Sequence, residues 1–238
     1  MEKRMASKLY LIPTPLGEGN PADVLPAPVL AVLPTLDRFV VEEVRTARRF
    51  LSAAGLKGHI EGLTFRELNE HTAPAEVESL LELFDGGHSV GLLSEAGLPA
   101  VADPGAQLVA LCHRRGIEVV PLVGPSSLML ALMASGLNGQ SFAFAGYIPA
   151  KTDERRQALR ALEKRSAQAR QTQILIETPY RNDALLADML QCLSGNTQLC
   201  VAANLTCPDQ YICTRRVSDW KQHPITIGKR PCVFLILA

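Results

Sequence analysis

Apolar stretches alternate with amphipathic stretches through the first 120 residues of the chain. The apolar stretches predict strands at residues 8–13, 38–41, 90–93 and 117–120, with a further short strand near residues 60–63. The spacing of apolar positions between them predicts helices over residues 28–33, 44–55, 74–84 and 104–115. This alternation is typical of an α/β layer with a mostly parallel sheet, and near-continuous apolar strands suit a sheet that is covered on both faces.

The second half of the chain has a different pattern. It predicts helices over residues 126–135, 153–166 and 182–193, and strands at residues 142–144, 174–177, 199–203, 210–216 and 232–237. The last two strands follow each other without a long helix between them, which predicts a mixed sheet. We therefore expect an α/β protein of two domains, residues 1–120 and 121–238. No Ser- or Gly-rich linker separates them, so we expect them to pack closely.

The strand at residues 90–93 runs directly into the small-residue segment SEAGLPAVADPG. Loops at the carboxyl ends of strands are where open α/β sheets bind ligands, and small residues let a ligand lie against the main chain. Four other loops follow strands in the same way, at residues 14–19, 124–127, 177–181 and 204–210. Each loop alone is more readily explained as an ordinary turn. Together they predict a small-cofactor cleft between the two domains.

Composition narrows the class of protein. Apolar residues make up 47% of the 238 residues, which is enough for a substantial core, and the net charge is zero, so nucleic-acid binding would need a local basic patch. The six cysteines form no CxxC pair and have no zinc-like spacing, which predicts no metal site and a reducing compartment. No apolar run is long enough to span a membrane, and no signal peptide is evident, so we expect a cytoplasmic protein.

Two groups of basic residues are candidates for anion binding. Arg45, Arg48 and Arg49 follow Glu42 and Glu43 at helical spacing, which predicts either a phosphate-binding face or a solvated helix face. The second group lies around the predicted helix at residues 153–166, and interspersed acidic residues favour a solvated face there. Its members are Lys151, Arg155, Arg156, Arg160, Lys164 and Arg165.

Several motifs, in order along nearly the whole chain, resemble a known family. They are LYLIPTPLGE, EEVRTARRFL, SEAGLPAVADPG, VGPSSLMLALMASGLN followed by FAFAGYIPAK, and IETPYR. Together they resemble the tetrapyrrole (corrin/porphyrin) methylase superfamily, and within it the ribosomal RNA small subunit methyltransferase I branch. The resemblance implies a tetrapyrrole-methylase-like fold, a homodimer, and S-adenosyl-L-methionine bound in the cleft between the domains.

The resemblance also implies which residues contact the cofactor, mostly through main-chain groups. Carried over by position, they are Leu16, Ser94, Glu95, Ala96, Ala100, Ser126, Ser127, Glu177 and Leu205. Some motif positions depart from the family pattern. Glu95 replaces an aspartate, Glu43 and Val44 replace the Asp and Thr of an acidic-Thr-Arg motif, and Glu18 replaces an asparagine. The segment AANLTCPDQ is closer to methylases that act on tetrapyrroles.

Methyl transfer from a sulfonium is an in-line displacement, for which an enzyme mainly supplies alignment. A ribose 2′-hydroxyl acceptor also needs a base, and the acidic candidates are Glu43, Glu95 and Asp103. The alternatives are a helix-dipole role for Glu43 and an N-cap role for Asp103, while Arg45 is a candidate to hold a phosphate or a substrate carboxylate. The resemblance thus implies a methyltransferase that acts on RNA, at a ribosomal RNA ribose. A small-molecule methyltransferase and a non-catalytic cofactor-binding paralogue remain open.

Overall fold

The computed structural model describes residues 7–238. Contacts divide the chain into two compact units, the first ending at Ser126 and the second running over Ser127–Ala238. The division falls six residues later than the predicted boundary after residue 120. The intervening segment belongs to the first unit because Leu122 N–H donates to Leu11 O at 3.0 Å. Gly124 also packs so closely on Pro13 that a Cβ there would lie 2.2 Å from that ring.

The first unit contains a five-stranded parallel sheet in the order β3-β2-β4-β1-β5. Its strands are β1 (Lys8–Ile12), β2 (Arg38–Val41), β3 (Thr64–Glu67), β4 (Val90–Leu93) and β5 (Glu118–Pro121). Its helices are α1 (Ala27–Val32), α2 (Val44–Leu51), α3 (Pro74–Ser79) and α4 (Ala106–Arg115). Every residue of β4 is buried, as expected for a central strand that is covered on both faces. The predicted parallel sheet is confirmed.

Local boundaries differ from the prediction at several places. The predicted helix over residues 74–84 is an α-helix only to Ser79 and continues as a 3₁₀ segment over Leu80–Gly87. Residues Ile60–Gly62, predicted as a strand, form a 3₁₀ turn, and the strand begins at Thr64. Helix α2 ends at Leu51 and continues as a single π turn over Ser52–Leu56, in which Gly55 has a φ of 108°. The helical backbone ends at Gly55, because a residue with a left-handed backbone does not continue a helix.

The second unit contains a mixed five-stranded sheet in the order β6-β7-β10-β8-β9. Its strands are β6 (Phe142–Tyr147), β7 (Thr172–Ile176), β8 (Gln198–Ala203), β9 (Tyr211–Arg216) and β10 (Cys232–Leu237). Its helices are α5 (Ser127–Ser135), α6 (Thr152–Ala169), α7 (Asn182–Cys192) and α8 (Val217–Trp220). Only the β6–β7 pair is parallel among the pairs described, so the predicted mixed sheet is confirmed.

Within residues 7–238, no helix combines the length and apolar character needed to cross a membrane.

Candidate active site at the carboxyl edge of the parallel sheet

Two loops at the carboxyl edge of the first sheet are joined by main-chain hydrogen bonds. Thr14 N–H donates to Gly97 O at 2.9 Å, and Gly97 N–H donates to Thr14 O at 3.1 Å. The Thr14 hydroxyl also donates to Ser94 O at 3.4 Å. The loop after β1 and the loop after β4, which the sequence singled out separately, therefore form one connected structure.

The loop after β4 adopts a backbone that most residues avoid. Gly97, Ala100 and Ala102 have φ values of 80°, 65° and 65°. A left-handed alanine costs about 1–2 kcal/mol, so its surroundings must hold it in place. A Cβ on Gly97 would also lie 3.1 Å from the side chain of Leu16. The unusual backbone and the close approach of Leu16 explain why this loop contains small residues. Glu95 and Ala96, in the same loop, are exposed.

Asp103 does not cap helix α4, so that prediction is wrong. Gly105, with a φ of 130°, occupies the N-cap position, and the helix starts at Ala106, so Asp103 lies outside the helix. Burial raises the pKa of Asp103 to about 6; the nearby Ser94 hydroxyl opposes the shift and the charge of Glu95 adds to it. The Ser94 Oγ itself has no well-formed hydrogen bond among the described residues. Asp103 is therefore a half-buried carboxyl that lacks a compensating cation.

Glu42 belongs to the same cluster of carboxyls as Asp103 and Glu95, and it is not among the residues predicted from the sequence. Burial raises the pKa of Glu42, the charge of Asp103 raises it further, and the main-chain N–H of Glu95 partly opposes the shift. The signal in the sequence was its position directly after β2, beside Glu43. That position places Glu42 at the same sheet edge as the loop after β4, because β2 and β4 are hydrogen-bonded neighbours.

Glu43 is the N-cap of helix α2. Its carboxylate accepts hydrogen bonds from the Arg45 and Thr46 main-chain N–H groups, both at 2.7 Å, and from the Thr46 hydroxyl at 2.6 Å. The Thr46 hydroxyl and these N–H groups lower the pKa of Glu43. Glu95 Oε1 lies 3.4 Å from the same hydroxyl, whose single proton is directed to the closer Glu43. The geometry favours the helix-dipole interpretation of Glu43 over a role as base.

The three arginines of α2 do not act as one patch. Arg48 forms an ion pair with Glu61. Arg45 and Arg49 are exposed, and neither makes a hydrogen bond or ion pair through its side chain within residues 7–238. Arg45 is close enough to Glu43 for its charge to help lower the pKa of that carboxyl.

A cavity of about 400 Å³ lies between the loop after β1 and helix α2, and we name it the loop–helix cavity. Its volume falls within the range of about 300–1,000 Å³ that is usual for small-molecule sites. The lining consists of Thr14, Pro15, Leu16, Gly17, Glu18, Gly19, Pro21, Thr46, Arg49, Phe50, Ala53, Glu95 and Ala96. Three of the residues that the resemblance assigned to the cofactor, Leu16, Glu95 and Ala96, are among them.

The remaining predicted contacts lie in other loops. Ala100 is in the strained loop after β4, Ser126 ends the first unit, and Ser127 begins α5. Within residues 7–238, no group of three or more His, Cys, Asp or Glu side chains is arranged to hold a metal ion.

In the second unit, Glu177 follows β7 and is buried. Its Oε1 accepts hydrogen bonds from Thr178 N–H at 2.7 Å and from Arg181 at 2.6 Å. Its Oε2 is buried and has no hydrogen-bond partner in the described part of the chain. Leu205 is also buried, in a loop where Asn204 and Thr206 have φ values of 49° and 71°. Both loops that the sequence selected here follow strands of the second sheet.

The second basic group is partly structural. Asp188 of α7 binds two of its arginines: Asp188 Oδ2 lies 2.7 Å from Arg155 Nε, and Asp188 Oδ1 lies 2.6 Å from Arg156 Nε. Although burial acts to raise it, the hydrogen bonds from Arg156 and Arg155 hold the pKa of Asp188 below its ordinary value. These two cations therefore join α6 to α7 and are not available to a polyanion.

The fold is one that solved methyltransferases share. The methyltransferase CobJ superposes with a TM-score of 0.64 over 98% of this chain and 94% of its own, at 17% identity. Uroporphyrin-III-C-methyltransferase from Thermus thermophilus superposes with a TM-score of 0.57 over 98% of this chain and 93% of its own, at 20% identity. At these identities the likeness establishes the fold, with a parallel and a mixed sheet in one chain.

The chain belongs to the tetrapyrrole (corrin/porphyrin) methylase family, whose model matches residues 8–220. Among curated relatives, the ribosomal RNA small subunit methyltransferase I of Vibrio cholerae serotype O1 is 37% identical over 83% of this chain. That of Pasteurella multocida is 31% identical over 90% of this chain and 72% of its own length. The family resemblance drawn from the motifs is confirmed. The chain spans 65% of the length of the Vibrio cholerae relative.

Proposed function

We propose that this protein is an S-adenosylmethionine-dependent methyltransferase that acts on RNA, at a ribose 2′-hydroxyl of the small ribosomal subunit. The observation that carries this proposal is the similarity to proteins of that name over 83% of the chain. The half-buried Asp103 at the carboxyl edge of the parallel sheet supports it, because a carboxyl whose pKa is raised to about 6 is suited to accept a proton near neutral pH.

The residues present fit the cofactor. Glu177 Oε2 is a buried polar atom without a hydrogen-bond partner among the described residues, and such an atom is expected to meet a ligand or water. The proposed contacts are those that the family resemblance assigns: Leu16, Ser94, Glu95, Ala96, Ala100, Ser126, Ser127, Glu177 and Leu205. When bound, the cofactor supplies an electrophilic methyl group, and the protein needs to align the acceptor and remove its proton.

Among the candidate catalytic residues, we assign the base to Asp103. Glu43 is less suited because three hydrogen bonds to its carboxylate stabilise the ionised form and so lower its basicity. Glu43 is instead proposed to fix the start of α2. Arg45, exposed at that helix start, is proposed to hold a phosphate of the RNA.

A small-molecule acceptor is the second candidate. The neutral net charge and the segment AANLTCPDQ favour it, as does the shared fold with an enzyme whose name specifies uroporphyrin. The same cofactor and base would serve either acceptor, so the choice depends on the acceptor assay.

The proposal is tested by incubating the purified chain with tritiated S-adenosylmethionine and small-subunit ribosomal RNA, either free or in assembled subunits. Nucleoside mass spectrometry of the product should show one new 2′-O-methylated nucleoside. Transfer to a tetrapyrrole carboxylate or ring carbon, with none to RNA, would support the second candidate. Calorimetric binding of the cofactor with no transfer to any acceptor would indicate the non-catalytic paralogue.

We further propose that the protein acts in the cytoplasm as a homodimer. Helix α5 supports the dimer because it is apolar on nearly all sides, yet Met133 is 79% exposed and Met129 is 42% exposed. A surface helix of this kind is expected to pack against another surface. Sedimentation equilibrium should give a dimer for the wild-type chain and a monomer for Met133→Lys. A monomeric wild-type chain would refute the dimer.

A further inference from the structure

Four residues of the loop–helix cavity have no role in the function proposed above. Arg49, Phe50 and Ala53 come from α2 and the turn that continues it, and Glu18 comes from the loop after β1. The family resemblance assigns no role to these four residues, and they do not belong to the cluster of carboxyls around Asp103. The cavity is nevertheless large enough for a small ligand, at about 400 Å³.

The charges of the lining indicate the chemistry of that ligand. Arg49 is the cation of the lining, and Glu18 and Glu95 are its carboxylates. A guanidinium prefers phosphate, while carboxylates accept hydrogen bonds from hydroxyl or amino groups. Phe50 adds an aromatic wall. A phosphate, a sugar with free hydroxyls and a flat base are combined in a ribonucleotide, and proteins bind unstacked ribonucleotides with such residues.

The arrangement of arginines on α2 favours an anion. Arg45 and Arg49 are four residues apart, so they share a helix face and repel each other. Arg48 has its own carboxylate partner in Glu61, whereas Arg49 has none within residues 7–238. A phosphodiester next to Arg49 would relieve the repulsion. The sulfonium of the cofactor, being a cation, would add to it.

The cavity is also placed correctly for an acceptor. It shares Leu16, Glu95 and Ala96 with the proposed cofactor contacts, so its ligand lies beside the methyl donor. In-line transfer requires that proximity.

We propose that the loop–helix cavity is the binding site for the acceptor nucleotide of the RNA, with Arg49 holding its phosphate and Phe50 facing its base or sugar. This inference rests on the proposed RNA methyltransferase function and adds the site at which the substrate is held. Arg49 is a substrate-binding residue in this account, and its loss should affect the RNA and leave the cofactor unaffected.

Arg49→Gln and Arg48→Gln form a matched pair, since each removes one positive charge from the same turn of α2. For Arg49→Gln, we expect the KM for small-subunit RNA to rise about 10-fold, as for loss of a charged hydrogen bond. The slope of log KM against log salt should decrease by about 0.7, the value for one phosphate contact on a single strand. For Arg48→Gln, both quantities should stay at their wild-type values. The Kd for S-adenosylmethionine, measured by calorimetry, should be unchanged in both.

Ala53→Phe tests the cavity without changing charge. Ala53 is exposed, so a larger side chain is accommodated by the fold and fills the cavity. We expect a raised KM for RNA and an unchanged Kd for S-adenosylmethionine, with the circular-dichroism melting curve as the check on folding.

These experiments distinguish an error in the cavity assignment from an error in the proposed function. If the wild-type chain methylates RNA but Arg49→Gln behaves like Arg48→Gln, the cavity assignment is wrong and the function stands. If Arg49→Gln or Ala53→Phe raises the Kd for S-adenosylmethionine instead, the cavity holds the cofactor and the assignment is again wrong. If the wild-type chain methylates no RNA, the proposed function fails and this inference fails with it.

Discussion

Two aspartates of this chain, one buried and one half-buried, have pKa values that are shifted in opposite directions. Asp188 of the second unit is only 4% exposed, yet hydrogen bonds from Arg155 and Arg156 outweigh burial and hold its pKa low. Asp103 of the first unit is less buried, yet burial raises its pKa to about 6, and the nearby charge of Glu95, another carboxyl, adds to the shift. The depth of burial therefore does not decide the direction of the shift; the neighbouring charges do.

Asp188 is a structural carboxylate, whereas Asp103 is a candidate catalytic one. A buried carboxylate with two arginines is stabilised as an anion and joins two helices. A half-buried carboxyl among other carboxyls is held near its proton-transfer range, at a cost to stability, which is the usual arrangement of functional sites.

Asp188→Asn should lower the free energy of unfolding by about 3–5 kcal/mol, because it leaves two arginine side chains without their buried partner. Urea denaturation at pH 7 measures the change. Asp153→Asn, at an exposed position on α6, is the control and should cost less than about 1 kcal/mol. If the two variants are equally stable, the ion pairs of Asp188 do not hold the helices together.

The pH dependence of stability should show the same contribution of Asp188. The folded-state pKa of Asp188 lies below its ordinary value of 3.8, so its contribution is present above pH 3.8 and is lost as the pH falls through the lower folded value. The wild-type protein should therefore lose its advantage over Asp188→Asn in acid.

Gly97→Ala should cost about 2–3 kcal/mol, which combines the strain of a left-handed alanine with a close approach to Leu16. Gly116→Ala is the matched control: its φ is 70°, but a Cβ there meets nothing within 4 Å. It should cost about 1–2 kcal/mol from strain alone. Thermal unfolding measures both. Only Gly97→Ala should also weaken cofactor binding, and equal cofactor affinities would show that the bridge between Thr14 and Gly97 does not shape the site.

Asp103→Asn should make the protein more stable at pH 8, by about 1 kcal/mol after allowance for solvent screening of a partly exposed carboxyl. The folded-state pKa of about 6 exceeds the ordinary 3.8, so the folded protein binds this proton more tightly and loses stability as the pH rises from about 4 to 6. The gain should vanish at pH 4, where the wild-type carboxyl is protonated. Asp85→Asn, at an exposed position, should show no such pH-dependent gain.

Much of the fold was predictable because strand and helix periodicities are strong in this chain. The parallel and mixed sheets were both predicted, and the central strand β4 was placed at Val90–Leu93. The strand after α2 was misplaced because the apolar residues Ile60 and Leu63 suggested a short strand, whereas Ile60–Gly62 forms a 3₁₀ turn and the strand begins at Thr64. Sequence periodicity does not decide the structure of so short a segment.

The candidate site was less predictable. The small residues of the loop after β4 pointed to its main chain, but nothing in the local sequence showed that Thr14 pairs with Gly97. Asp103 before a proline has the pattern of an N-cap, and only the turn at Gly105 moves it out of the helix. Glu42 lies near Asp103 and Glu95 because strands β2 and β4 are neighbours in the sheet. These strands are distant along the chain, so the local sequence does not show this proximity. The partners of Arg155 and Arg156 are likewise distant in sequence.

The pH dependence of methyl transfer tests the central assignment most directly. Single-turnover transfer from tritiated S-adenosylmethionine to small-subunit RNA would be measured between pH 5 and pH 9 for the wild-type protein and Asp103→Asn. We predict a wild-type rate that rises with a midpoint near the pKa of about 6, and a variant about 100-fold slower or more that lacks this rise. A variant with the wild-type rate and the same midpoint would contradict the assignment of Asp103 as the base.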